Sequence, residues 1–145
     1  MIIHVLKSNY YLWLGNVMRK TKIEKEFSHH IMWLQRYYKK SQGNPLNSIL
    51  LQMLEEKEEK TGLNRFNDID CRIYFAWLSA ISYMINHTDS NMMQLIKDVY
   101  VHRILNMTSA GAKYLNYAKS QTQQNVRDWF VELNRQHYEK VIAND

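Results

Sequence analysis

Ile69-Asp70-Cys71-Arg72-Ile73-Tyr74-Phe75-Ala76-Trp77-Leu78-Ser79-Ala80-Ile81-Ser82-Tyr83-Met84-Ile85-Asn86 is the stretch that decides the fold. Ile69, Ile73, Ala76, Trp77, Ala80, Ile81 and Met84 recur every three or four residues, which puts their side chains on one face of an α-helix. Tyr74, Phe75, Leu78 and Tyr83 add apolar groups on other sides. A helix that is apolar around most of its circumference is covered by neighbours. Residues 69–86 are therefore expected to form a central buried helix, with Asn67-Asp68 as its cap.

Toward the N-terminus, Thr21-Lys22-Ile23-Glu24 has the hydroxyl-to-carboxylate spacing of a capping box. Ile23, Phe27, Ile31, Leu34 and Tyr38 give the following helix one apolar face, ending near Ser41-Gln42-Gly43. Asn44-Pro45 restarts the chain, since Asn caps and Pro at the first helical position loses no hydrogen bond. Leu46, Ile49, Leu50, Met53 and Leu54 continue that helix toward Gly62, with the charged run Glu55 to Lys60 on its solvated side. Residues 2–19 predict a further helix, weakest at Gly15.

Toward the C-terminus, Thr88-Asp89-Ser90 starts a helix carrying Met92, Leu95, Ile96, Val99, Tyr100 and Ile104. Ser109 is the expected next cap, with Gly111 harmless in the first turn. The polar run Gln121-Thr122-Gln123-Gln124 is an expected interruption, and beyond it Val126, Trp129, Phe130, Leu133, His137 and Val141 mark an apolar stripe. Four glycines and one proline are too few for the many turns of a sheet protein. The expectation is an all-α, bundle-like single domain over residues 1–145, with six or seven helices.

Cys71 is the only cysteine, so no intrachain disulfide can form. No window reaches the ~18 apolar residues of a membrane span, and the first residues lack a basic leader. A cytoplasmic protein with no membrane contact is expected.

The net charge of +5 is uneven. Residues 1–44 hold eight Lys and Arg against two Glu, whereas residues 45–70 hold three against six carboxylates. The densest basic spots are Arg19-Lys20-Thr21-Lys22 and Arg36-Tyr37-Tyr38-Lys39-Lys40. Aromatics interleaved with cations suit phosphate contact and base stacking; cations at a helix C-terminus also suit the helix dipole. Arg19, Lys20, Lys22, Arg36, Tyr37, Tyr38, Lys39 and Lys40 are thus the candidate binding residues.

Catalytic, cofactor and metal signatures are not legible. His29 and His30 are adjacent and point about 100° apart on a helix. No His-Glu-x-x-His, paired-cysteine, Gly-x-Ser-x-Gly or Gly-rich phosphate motif occurs. A three-histidine site from His30, His102 and His137 requires helices far apart in sequence to converge. Asp70 beside Cys71 disfavours a thiolate.

The expected function is that of a small, non-enzymatic helical interaction protein, acting as an adaptor, regulator or inhibitor by docking on a protein partner. Eight Met, ten Tyr and four Trp suit such a surface, and the Asn-, Lys-, Ile- and Tyr-rich composition suits a mobile-element, phage or viral accessory factor. Self-association is compatible with the same features. The alternative is a nucleic-acid-binding regulator using the basic N-terminal third. The acidic helix expected after Asn44-Pro45 does not suit a recognition helix.

Overall fold

The computed structural model describes residues 21–41, Gln52, Met53, Glu56, Glu59 and 68–143. The expected helix over 2–19, the cations Arg19 and Lys20, and the junction at Gly43-Asn44-Pro45 lie outside the described residues. Among those described, the chain is all-α: α1 (Lys22–Glu26), α2 (Ser28–Ser41), α3 (Asp68–His87), α4 (Ser90–Ile96), α5 (Met107–Ala110) and α6 (Lys119–Ala143). Two π-helical turns, Lys97–Val101 and Gly111–Leu115, extend α4 and α5. Gln52, Met53, Glu56 and Glu59 are also helical, as the one-face pattern of that segment predicts.

Local chemistry sets the helix starts. Thr21 Oγ1 accepts from the Glu24 N–H at 3.2 Å, and Asp89 accepts from the Met92 N–H at 2.9 Å. Each satisfies a donor that the first turn would otherwise leave unpaired. Asn106, and not Ser109, caps α5, accepting from the Ser109 N–H at 2.8 Å. The run expected as one helix from Thr21 to Ser41 is bent at Phe27, whose φ of −115° leaves helical geometry. Hydrogen bonds from Phe27 N to Ile23 O and from Ile31 N to Phe27 O still cross the bend.

Helices α3 and α6 are antiparallel neighbours: Trp77 meets His137 while Thr88, just past the end of α3, meets Trp129, earlier in α6. Ala80, Ile81 and Leu78 of α3 and Val126, Phe130 and Leu133 of α6 are fully enclosed. Across α2, Phe27 stacks on Phe130 with centroids 5.3 Å apart, and Tyr100 meets the same ring edge-on. Leu34 and Met53 complete this core. The central helix is thus where the sequence places it, although its first turns are not buried. Ile69 is 67% and Ile73 45% exposed, and at the facing end of α6 Val141 is exposed too.

Two further expectations give way. Gln121 to Gln124 do not interrupt α6, which runs straight through them; the break falls at Asn116, whose φ of 56° is left-handed. Asn tolerates that region better than most residues. Thr122 sits inside because its hydroxyl donates to the Ala118 carbonyl at 2.9 Å. Its side chain occupies the space beside Gly111, where an added Cβ would lie 2.1 Å from Thr122 Oγ1. Gly111 is therefore a close-approach residue. Gly111→Ala is expected to destabilise the protein by about 1–3 kcal/mol through overpacking, and Thr122→Ala in the same chain should restore part of the loss in urea denaturation.

Candidate functional site

The C-terminal half of α2 carries the second basic spot, and the fold gives its members different surroundings. The Arg36 guanidinium lies 4.4 Å from the centroid of the Trp33 ring and 5.6 Å from that of Tyr74 on α3. Tyr37 and Tyr38 meet edge to face at 5.7 Å. Lys97, from the first π-helical turn, places its ammonium 5.9 Å from the Tyr38 ring. Burial pushes the Tyr38 hydroxyl up to about 12, with the neighbouring Tyr37 adding to the shift. Its phenol is consequently neutral at physiological pH and available only as a hydrogen-bonding group. Arg36 thus lies against Trp33 and Tyr74, and Lys97 against Tyr38; two residues apart on α2, Arg36 and Tyr38 leave the helix about 160° apart, so these are two cation–ring pairs on different sides of α2.

A cation held over a ring keeps its full charge, whereas a carboxylate partner would neutralise it. Lys40 differs in this respect, because its ammonium pairs with Glu56. Lys39 is exposed near the end of α2. Lys22 stands at the start of α1, separated from the end of α2 by the fourteen residues of that helix, which span about 21 Å. Of the six candidate residues that are described, five cluster at the end of α2 and Lys22 lies apart. The Lys97–Tyr38 and Trp33–Tyr74 contacts were not legible in the sequence, because they depend on the packing of α2 against the first π-helical turn and against α3.

Polar order around Lys97 comes from the π-helical turns. Asp98 is 2% exposed, yet its carboxylate accepts from Gln94 Nε2 at 3.0 Å and from the Tyr114 hydroxyl of the second π-helical turn. The bond to Asp98 raises the Tyr114 pKa, with burial adding to the shift. Gln35 of α2 donates to the Tyr100 carbonyl at 2.8 Å. Arg103, left-handed at φ 54°, closes this segment 3.6 Å from Glu24.

Two of the three histidines considered from sequence do converge. His137 stacks on Trp77 with centroids 3.6 Å apart and planes 17° from parallel, and His30 meets the same indole edge-on at 5.1 Å. His102 is exposed at the end of the first π-helical turn. Among the described residues no three His, Cys, Asp or Glu side chains group to hold a metal ion. The half-buried thiol of Cys71 is free.

A separate cleft of about 410 Å³ lies between the end of α3 and α6, lined by Met84, Asp89, Tyr117, Asp128, Trp129 and Glu132 among others. Its carboxylates serve local structure. Asp89 caps α4, Asp128 accepts from Gln124, and Glu132 pairs with Arg135, which holds its carboxyl below the usual range.

No protein family, curated protein or solved structure matches the chain. Among the described residues, no helix is long and apolar enough to cross a membrane.

Arg36→Met keeps most of the aliphatic stem but removes the cation from Trp33, and should lower stability by about 0.5–1 kcal/mol in urea titration.

Proposed function

We propose that this chain is a small helical interaction protein, an adaptor, regulator or inhibitor, that docks on an acidic surface of another protein through the end of α2, where Arg36, Tyr37, Tyr38 and Lys39 stand, together with Lys97 beside Tyr38. The observation that carries this reading is the placement of Arg36 over Trp33 and of Lys97 over Tyr38. It joins un-neutralised charge to aromatic area, and Trp, Tyr and Arg are the residues that dominate binding energy at protein interfaces. Carboxylates of the partner would meet Arg36 and Lys97 while its apolar groups cover the tyrosines. A cytoplasmic setting suits the single free thiol at Cys71.

A protein partner is favoured over nucleic acid because, among the described residues, the candidate cations do not line up as a track. Lys22 stands apart at the start of α1, and the Lys40 ammonium is already engaged by Glu56. A phosphate backbone calls for several cations in sequence along one groove.

The reading is tested by affinity capture with the chain as bait, with and without nuclease, comparing wild type with Arg36→Glu/Lys97→Glu. The expected result is a nuclease-resistant protein partner retained by wild type, reduced at least about ten-fold by the double reversal, a loss of about 1.4 kcal/mol or more in binding. Retention unchanged by the reversal would overturn the assignment of the surface. A gel shift of RNA or DNA at low salt, abolished by the same reversal, would replace the protein partner with nucleic acid.

A further inference from the structure

The contact among α2, α3 and α6 is built on two imidazoles and one indole. Asn134 and His137 are three residues apart on α6, so they share a face. His30 of α2 bonds Asn134 Oδ1 through Nε2 at 2.8 Å, while His137 lies flat on Trp77 of α3. The amide oxygen can only accept, so His30 carries its proton on Nε2 and presents a lone pair at Nδ1. That Nδ1 is enclosed and has no hydrogen-bond partner.

We propose that the His30–Trp77–His137 junction is a pH-sensitive latch, which holds the C-terminal half of α6 against α2 and α3 near neutral pH and releases it in mild acid. A second proton on His30 would create a buried N–H with nothing to accept it, a costly state for any polar group. A proton on His137 would gain from the indole face, by about 0.5–1 kcal/mol at a partly exposed site. Against that gain stand partial burial and His30 on the same indole, so that two imidazoliums would face each other across one ring system.

Among the described residues, the remaining groups around the junction supply no compensating anion. From α2 come Phe27, edge-on to His30, and Trp33, stacked on Trp77, with His29 adjoining His30 in sequence. From α3 comes Tyr83, under the Lys140 ammonium. Along α6, Arg135 and Lys140 flank His137 in sequence, and Glu132 and Glu139 are both engaged by Arg135. Burial lowers the His30 pKa, opposed by the Asn134 bond and assisted by His29. Burial, assisted by His30, brings His137 down to about 4.

The sign follows from linkage. A free imidazole takes its proton near 6.5, so between that value and about 4 the released segment binds more protons than the docked one. Docking is therefore fully favoured above about pH 6.5 and weakens as the pH falls toward the lower value.

Amide hydrogen exchange along α6, combined with NMR titration of the histidine ring protons, tests the latch on the full chain. From pH 7 to 5, and after correction for intrinsic exchange, amides of 134–143 should lose about ten-fold or more protection relative to those of 122–133. His137→Phe retains an aromatic ring on Trp77 but cannot protonate, and should abolish most of that difference. Loss of protection spread evenly over α6, or persisting in His137→Phe, would overturn the proposal. Should His137→Phe not fold, the wild-type titration decides: a depressed His137 midpoint supports the latch, and one near 6.5 sinks it.

Discussion

The indole of Trp77, on α3, receives one ring from α2 and another from α6. Trp33 of α2 stacks on it at 5.8 Å with planes 8° apart, and His137 of α6 stacks at 3.6 Å. Arg36 lies over Trp33 in turn, so one series of stacked groups runs from the α2 surface to α6. Aromatic pairs contribute about 0.5–1.5 kcal/mol each beyond the area they bury. Their larger consequence here is positional. Arg36 is positioned by Trp33, and Trp33 by the indole beneath it. Phe130 does the corresponding work at the other end of α2, stacked with Phe27 and edge-on to Tyr100.

Polar ties then fix what stacking leaves free. Arg127 of α6 makes a two-pronged pair with Glu26 at the end of α1, a planar geometry that only arginine offers. Trp129 donates to Thr88 at 3.0 Å and pins the turn between α3 and α4. The buried Asp98 carboxylate joins the two π-helical turns through Tyr114. Unpaired, a carboxylate so deeply placed would strongly disfavour the folded state.

Periodicity made the helices around Trp77 legible, because the apolar spacing of residues 69–86 and 126–133 reports directly on the faces that end up enclosed. The caps at Thr21 and Asp89 were legible for the same local reason: a side chain and the N–H it satisfies are three residues apart. Gly111 and Thr122 were not, since their relation is a contact between elements and each looks ordinary alone. Ile104 belonged to the apolar spacing of its segment but is 67% exposed, because Arg103 adopts a left-handed conformation that no apolar pattern encodes. For the candidate surface, the sequence supplied the cluster at the end of α2 but not its members Trp33, Tyr74 and Lys97. It also raised His30 and His137 together without the indole that unites them.

A π-helical turn is an α-helix holding one residue more than its hydrogen bonding needs, and among the described residues two such turns are joined by the Asp98–Tyr114 bond. Most single-residue deletions in a helix rotate everything beyond them by about 100° and expose what was enclosed. Removing one residue within Lys97–Val101 instead offers the backbone a route to ordinary α-helix, with the rotation absorbed locally. The side chain lost from its place would be the carboxylate or the lysine. These two turns therefore mark where chain length, rather than residue identity, sets the geometry, and where length variation among proteins of this shape would be tolerated at the cost of the paired side chains.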